Sequence, residues 1–320
     1  MPILEALKRF LGLHAVRRSA PDRRLTQPPH VHQGLGGGQR PDDRWQLLEE
    51  ICCGQTTAVY AARTQGNLTP LAVKLLLRIT EPNRNRFAHE IQMLRKLTGL
   101  ATSQLHSSGV LADGTPFIAM PLVKGITLQS YSAQSGALPV DQCLRILLPL
   151  CDVLSQLHSL GITHGDLKPG NVMVDVVEDR LESLTIIDFG LASEAGIVGH
   201  SDSKPSTLSD GVPSRSISGT PLFISPEAAG GEFRDERSDI YSFGCTAYFL
   251  LTGAPPFIGR TPIEICWKHK YAEIPQLTSH GTRTIPMAMA KLIGDCLAKN
   301  PDHRPQSATE VHRRLTAINA

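Results

Sequence analysis

His-Gly-Asp-Leu-Lys-Pro-Gly-Asn at residues 164–171 and Asp-Phe-Gly at residues 188–190 are the two stretches that decide the fold of this chain. Their side chains match the needs of phosphoryl transfer, because Asp166 can orient a hydroxyl and Lys168 can neutralise phosphate charge. Asn171 and Asp188 offer the amide and carboxylate oxygens that Mg²⁺ prefers. Each stretch alone is short, but the two together in this order predict a phosphoryl-transfer site.

The two stretches resemble the catalytic and metal-binding loops of protein kinases, with one departure. The family usually has His-Arg-Asp, whereas this chain has His164, Gly165 and Asp166. Small-molecule kinases of the aminoglycoside and choline type often have the His-Gly-Asp form. A small-molecule phosphotransferase is therefore an alternative at this point.

Four later motifs separate the two classes of kinase. Gly-Thr-Pro at 219–221 and Ser-Pro-Glu at 225–227 resemble the end of a protein-kinase activation segment, and Asp-Ile-Tyr-Ser-Phe-Gly at 239–244 resembles the helix that anchors the catalytic loop. The arginine of Asp-His-Arg-Pro, Arg304, is implied to pair with Glu227. Small-molecule kinases lack this set.

The resemblance covers about residues 45–317 and is closest to bacterial serine/threonine kinases. Lys168 and Thr220 match the serine/threonine group rather than the tyrosine group. The family implies an α+β fold of two lobes, a small strand-rich lobe at 45–124 and a larger helical lobe at 125–320. Residues 1–44 would then form an N-terminal extension.

The resemblance also implies where ATP binds. Lys74 ends the apolar run Leu-Ala-Val-Lys, and Glu90 lies on a helix predicted over Asn83 to Leu97; in kinases these two side chains pair and the lysine contacts the α- and β-phosphates. The segment after Met120 would bind adenine through the carbonyl of Pro121 and the amide of Val123. The nucleotide-binding residues implied are Gly54, Val59, Ala72, Lys74, Glu90, Met120, Pro121 and Val123.

The glycine-rich loop departs from the family pattern. Cys52 and Thr57 replace two of its three glycines, and only Gly54 remains. Glycine lets backbone amides approach phosphates closely, so the two replacements raise the alternative of a pseudokinase that serves as a nucleotide-binding scaffold.

Local patterns predict several further elements. Val59–Ala62, Leu71–Leu76 and Phe117–Met120 read as strands, with a turn at Gly66 and Asn67 between the first two. Helical patterns run from Val140 to Leu160, from Asp239 to Leu251 and from Met287 to Ala298.

Composition excludes several classes of protein. The formal net charge of +2 gives no indication of a nucleic-acid partner, and no apolar run is long enough to span a membrane. Seven cysteines without a Cys-x-x-Cys pair favour reduced thiols and a cytoplasmic location over disulfides or zinc.

Two segments leave alternatives open. Residues 1–18 could form an amphipathic helix that docks on a partner or a membrane surface, or they could be a poorly ordered tail. The stretch between Ser193 and Thr220 is rich in serine and threonine, so it is either a loop regulated by phosphorylation or an insertion. Gly165 removes the arginine that usually captures an activation-loop phosphate.

These observations predict a serine/threonine protein kinase that transfers the γ-phosphate of ATP to protein hydroxyls with Mg²⁺. Asp166 and Lys168 are the predicted catalytic residues, and Asn171 and Asp188 are the predicted metal ligands.

Overall fold

The computed structural model of the chain describes residues 45–64, 69–194, 221–277 and 284–319. Strands dominate up to Pro121, and helices dominate from Leu128 onward. This arrangement confirms the predicted two-lobed α+β fold. The predicted boundary between residues 124 and 125 falls in the connection between the lobes, and its position stays a prediction.

The N-terminal lobe contains a five-stranded antiparallel sheet. Its strands, in chain order, are β1 (Trp45–Cys53), β2 (Thr57–Thr64), β3 (Pro70–Leu76), β4 (Ser107–Val110) and β5 (Pro116–Pro121), and their order across the sheet is β1-β2-β3-β5-β4. One face carries buried apolar side chains, among them Tyr60, Val73 and Phe117. The register places Val59 opposite Lys74, so both lie on the other face.

The first helix, α1 (Glu81–Lys96), begins two residues before the predicted Asn83. Pro82 favours a later start in a sequence-based prediction, because proline is unfavourable inside a helix. In the first turn, however, its missing N–H would have no hydrogen-bond partner, so Pro82 fits at this position. The buried side chains of α1 recur every three or four residues and include Phe87, Glu90 and Leu94. A charged residue on this buried stripe requires a partner, which β3 supplies.

The C-terminal lobe is built from seven helices among the described residues. They are α2 (Leu128–Ser135), α3 (Val140–Ser159), α4 (Pro226–Ala229), α5 (Glu236–Thr252), α6 (Pro262–Tyr271), α7 (Met287–Cys296) and α8 (Ala308–Asn319). The predictions for α3, α5 and α7 are correct to within three residues at each end. α5 starts earlier than predicted because the side chain of Asp235 accepts a hydrogen bond from the Arg237 amide and caps the helix.

Short strands frame the predicted catalytic stretches. They are β6 (Ile126–Thr127), β7 (Ile162–Thr163), β8 (Val172–Val177), β9 (Arg180–Ile186) and β10 (Ser193–Glu194). The turn between β8 and β9 has positive φ at Glu178 and Asp179 without glycine or asparagine, so its sequence gives little sign of a hairpin. A single 3-10 turn, Pro169–Asn171, connects the catalytic loop to β8.

Several predicted features lie outside the described residues. These are the N-terminal extension with its amphipathic helix and docking role, the turn at Gly66 and Asn67, and the Ser/Thr-rich stretch from 195 to 220. No helix in the described part is both long and apolar enough to cross a membrane.

A buried ion pair fastens α4 to the rest of the helical lobe, as the sequence predicted. The guanidinium of Arg304 makes two hydrogen bonds to the carboxylate of Glu227, at 2.9 and 2.8 Å, and the two side chains are 0% and 8% exposed. Ser238 donates a third hydrogen bond to the same carboxylate at 2.6 Å. Burial alone would raise the pKa of Glu227, but these hydrogen bonds outweigh burial and lower the pKa to about 2.

Removing one partner of this pair should destabilise the fold. Arg304→Ala leaves Glu227 buried without its counterion, which costs about 3–5 kcal/mol and should lower the melting temperature by about 6 °C or more. Arg313→Ala is the matched control, because Arg313 is exposed on α8. Thermal unfolding followed by circular dichroism measures both, and equal melting temperatures would contradict the importance of the pair.

The same pair should make stability depend on pH. Folding lowers the pKa of Glu227 from 4.5 to about 2. The contribution of the ionised Glu227 carboxylate to the free energy of unfolding is therefore complete above pH 4.5 and is lost as the pH falls toward 2. The difference in unfolding free energy between wild type and Glu227→Gln should shrink by about 3 kcal/mol over that range. Urea titrations at a series of pH values measure this difference. Glu182→Gln, on the exposed side of β9, is the control. A difference that stays constant with pH would overturn this account.

Candidate active site

Lys74 connects both lobes at the predicted nucleotide site. Its ammonium, on β3, lies 2.7 and 2.9 Å from the two carboxylate oxygens of Glu90 on α1. The same nitrogen lies 3.0 Å from Oδ1 of Asp188, which follows β9 in the C-terminal lobe. The structure therefore brings three of the predicted residues together, with two carboxylates around the ammonium of Lys74.

The electrostatics of this cluster follow from burial and pairing. Burial alone would lower the pKa of Lys74, but the carboxylates of Glu90 and Asp188 reverse that effect and raise it. Burial alone would likewise raise the pKa of Asp188, and the ammonium of Lys74 outweighs it, so the pKa is lowered. The pKa of Glu90 is raised, because burial outweighs the effect of the Lys74 ammonium. Pairing therefore favours the charged forms of Lys74 and Asp188.

Asp188 adopts a backbone conformation that is uncommon for its residue type. Its φ is 65°, in the left-handed region, and its Oδ1 accepts a hydrogen bond from the Gly190 amide at 3.4 Å. Phe189 is buried, with its ring 4.9 Å from that of His164. Such conformations persist where surrounding contacts over-determine them, and here the buried Phe189 ring and the Lys74 contact fix the carboxylate in the cleft.

The catalytic loop brings its polar side chains into a small cluster. Lys168 Nζ lies 2.6 Å from Oδ2 of Asp166. The amide nitrogen of Asn171 donates to the main-chain oxygen of Asp166 at 2.9 Å and to its Oδ2 at 3.1 Å. This orientation leaves the side-chain oxygen of Asn171 available for another ligand.

The backbone of this loop is fixed by Asp239, one turn into α5. Its buried carboxylate accepts the amide of His164 at 2.8 Å and that of Gly165 at 2.9 Å, and it contacts the ring of His158 at 3.0 Å. Burial would raise the pKa of Asp239, but the hydrogen bond from His158 and the neighbouring contacts lower it. The carboxylate thus remains ionised and holds α3, α5 and the catalytic loop together.

The remaining predicted nucleotide residues lie along the sheet and its exit. Ala72 pairs with Met120 in the register of β3 and β5, so both share the face of Lys74 and Val59. After β5, the amide of Leu122 donates to Pro70 at 2.9 Å. Within the described residues the amide of Val123 has no hydrogen-bond partner, and Pro121 is exposed. The chain leaving β5 therefore has a backbone amide that makes no hydrogen bond to the described residues.

The glycine-poor loop forms a regular turn between β1 and β2. Gly54 donates to the carbonyl of Thr57 at 2.8 Å, and a Cβ built on Gly54 meets that oxygen only at 3.5 Å. Cys52 pairs with Val59 and so shares the cleft-facing side of the sheet. Burial raises the pKa of its thiol, and the ammonium of Lys74 partly offsets that increase. Sequence comparison with the glycine pattern marked Cys52 only as a departure, not as a neighbour of Lys74.

Two other contacts were missed by sequence reasoning. The imidazole of His89, beside Glu90 on α1, is hydrogen-bonded to the carbonyl of Ala192 at 2.6 Å. Arg234, in the connection from α4 to α5, donates to the carbonyl of Gly165 at 3.3 Å. Neither contact has a signal in local sequence, because each joins residues about 70 or more positions apart.

Comparison with known proteins agrees with this geometry. The serine/threonine-protein kinase PknB of Mycobacterium leprae is 30% identical over 302 residues, which cover 92% of this chain and 44% of that protein. The protein of the same name from Mycolicibacterium smegmatis is 30% identical over 301 residues, with the same shares. The chain thus spans less than half the length of these relatives. The protein kinase domain family matches residues 45–315, and the chain belongs to that family.

Proposed function

We propose that this chain is a serine/threonine protein kinase that transfers the γ-phosphoryl group of ATP to hydroxyls of protein substrates. The observation that supports it most directly is the contact of Lys74 with both Glu90 and Asp188, at 2.7 and 3.0 Å. This contact places three groups of the proposed mechanism together: Lys74 as the cation for the phosphates, Glu90 as the residue that orients Lys74, and Asp188 as the metal-binding carboxylate. The relatives named above are serine/threonine-protein kinases, which supports the same substrate class.

The sheet side of the cleft would bind the nucleotide. Lys74, held by Glu90, would contact the α- and β-phosphates, and the amide of Gly54 would face them from the turn above. The side chains of Val59, Ala72 and Met120 would pack on the adenine, while the carbonyl of Pro121 and the amide of Val123 would bind its edge. These assignments rest on the shared face of β2, β3 and β5 and on the accessible backbone after β5.

The residues present fit a divalent cation. The side-chain oxygen of Asn171 and Oδ2 of Asp188 make no hydrogen bond within the described residues, and both are hard oxygen donors of the kind Mg²⁺ selects. A bound Mg²⁺ would neutralise phosphate charge during transfer. Asn171 is oriented for this by its own amide, which is already bonded to Asp166.

Asp166 and Lys168 would carry out the transfer step. The carboxylate of Asp166 accepts the proton of the substrate hydroxyl as the oxygen forms its bond to the γ-phosphorus. The bond between that phosphorus and the β,γ-bridging oxygen breaks, and ADP leaves. Lys168, 2.6 Å from Asp166, stabilises the charge on the transferred group.

Neither alternative raised by the sequence is favoured by the comparisons. The matching family is that of protein kinases over residues 45–315, which disfavours a small-molecule phosphotransferase. Neither Cys52 nor Thr57 has a positive φ, and the turn at Gly54 closes with both side chains present, so the two replacements do not prevent the loop from forming. The seven cysteines contain no Cys-x-x-Cys pair, which supports a cytoplasmic location for the domain.

Removing either of two charges should stop phosphoryl transfer, and Lys74→Ala should also lower stability because it leaves Glu90 buried without its partner. Asp166→Asn removes the proton acceptor and Lys74→Ala removes the phosphate contact, so kcat/KM for a generic protein substrate should fall by a factor of about 100–1,000. Asp113→Asn and Lys291→Ala, both exposed and far from the cleft, are the matched controls. Circular dichroism checks folding, and wild-type turnover in Asp166→Asn or Lys74→Ala would refute the corresponding role.

Nucleotide binding should stabilise the chain, and the effect should need the metal-binding residues. Ligand at about 100 times its Kd adds about 2.7 kcal/mol to stability, which raises the melting temperature by several degrees. ATP with Mg²⁺ should therefore give a larger shift than ATP with EDTA, and Asn171→Ala should reduce the difference between them. A shift that is identical with Mg²⁺ and EDTA in the wild type would contradict the metal assignment.

A further inference from the structure

The peptide that leads into Asp166 passes through an unusually constrained glycine. Gly165 has a φ of 73°, and a Cβ built on it would lie 2.6 Å from the carbonyl oxygen of Leu191. Both the positive φ and this close approach exclude a side chain at position 165 in the present arrangement. Glycine fits, but it also gives the backbone the greatest freedom at the residue that precedes the proposed proton acceptor.

The amides around this glycine are each fixed by a hydrogen bond. Asp239 accepts those of His164 and Gly165, as described above. The amide of Asp166 donates to Nδ1 of His164 at 3.2 Å. These contacts act on the N–H side of the peptide units, and none of them contacts the carbonyl oxygen of Gly165.

Arg234 binds that carbonyl. Its Nη1 donates to the main-chain oxygen of Gly165 at 3.3 Å and lies 3.6 Å from the point where a Cβ of residue 165 would be. The oxygen of Gly165 and the amide of Asp166 belong to one planar peptide unit, so a bond at each end fixes the orientation of the plane. That orientation sets the direction in which the Asp166 side chain leaves the backbone.

The segment that carries Arg234 is itself well anchored. The next residue, Asp235, caps α5 through the amide of Arg237 at 2.9 Å. The guanidinium of Arg237 binds Asp235 at 2.7 Å and Asp302 at 2.6 Å, so the turn is tied to the start of α5 and to a distant loop. Arg234 therefore reaches Gly165 from a fixed point rather than from a free loop.

We propose that Arg234 is a positioning residue for phosphoryl transfer, acting on Asp166 through the carbonyl of Gly165. A guanidinium supplied by another segment compensates for the freedom that glycine introduces at position 165. This inference rests on the proposed role of Asp166. Because catalysis in phosphoryl transfer is mainly positioning and charge neutralisation, a small rotation of the carboxylate lowers the rate without weakening nucleotide binding.

The test separates transfer from binding in Arg234→Ala and Arg234→Lys, with Arg313→Ala as control. In Arg234→Ala, kcat should fall by about tenfold or more while the Kd for ATP with Mg²⁺ stays within about twofold. Arg234→Lys keeps a donor and should recover to within about threefold of wild type. A kcat for Arg234→Ala close to that of wild type would overturn the proposal, as would an equal loss of nucleotide affinity.

Hydrogen exchange supplies a readout independent of activity. Peptides spanning residues 163–168 should exchange faster in Arg234→Ala than in wild type, whereas unchanged exchange would overturn the positioning role.

The Asp166→Asn enzyme distinguishes a failure of the Arg234 proposal from a failure of the proposed role of Asp166. If it is inactive while Arg234→Ala is fully active, only the positioning role fails; if it is fully active, the assignment of Asp166 fails as well.

Discussion

The Lys74 ammonium is the group on which the arrangement of this molecule depends most. A buried cation is costly unless carboxylates surround it, and Lys74 is only 11% exposed. It therefore requires α1 to pack with Glu90 facing inward and the segment after β9 to lie beneath the sheet with Asp188 beside it. The sheet, the helix and the second lobe are thus joined at one ammonium, which lies in the proposed nucleotide site.

A second buried charge, the carboxylate of Asp239, fixes the catalytic loop in the helical lobe. Asp239 binds two consecutive backbone amides of the catalytic loop, so the loop has a fixed path although it contains a glycine with positive φ. The side chains of Asp166, Lys168 and Asn171 project from that path toward the cleft. The carboxylate of Asp239 is thus a structural charge on the proposed substrate side, whereas the ammonium of Lys74 both holds the structure together and would contact the nucleotide phosphates.

Much of the fold and the proposed site could be predicted from the sequence, because short motifs carry the resemblance to protein kinases and local patterns indicate the elements. The spacing from Asp166 to Asn171, the apolar run before Lys74 and the stripe on α1 that includes Glu90 are short-range patterns. The boundaries of α1 and α5 were less accurate, since Pro82 and Asp235 act at helix ends, where propensity and capping compete. What sequence could not show was contact between distant segments that the family resemblance does not imply. Gly165 was recognised as a departure from the family, but the closeness of Leu191 and the approach of Arg234 depend on how the two turns pack.

The central claim is that this chain moves phosphate from ATP to serine or threonine. The most direct measurement is mass-spectrometric mapping of phosphorylated residues after the purified chain is incubated with ATP, Mg²⁺ and a generic protein substrate. The account predicts phosphate on serine and threonine hydroxyls of the substrate, and none on tyrosine. Nucleotide binding without phosphate on any serine or threonine would contradict it and would favour a scaffold that binds ATP without using it.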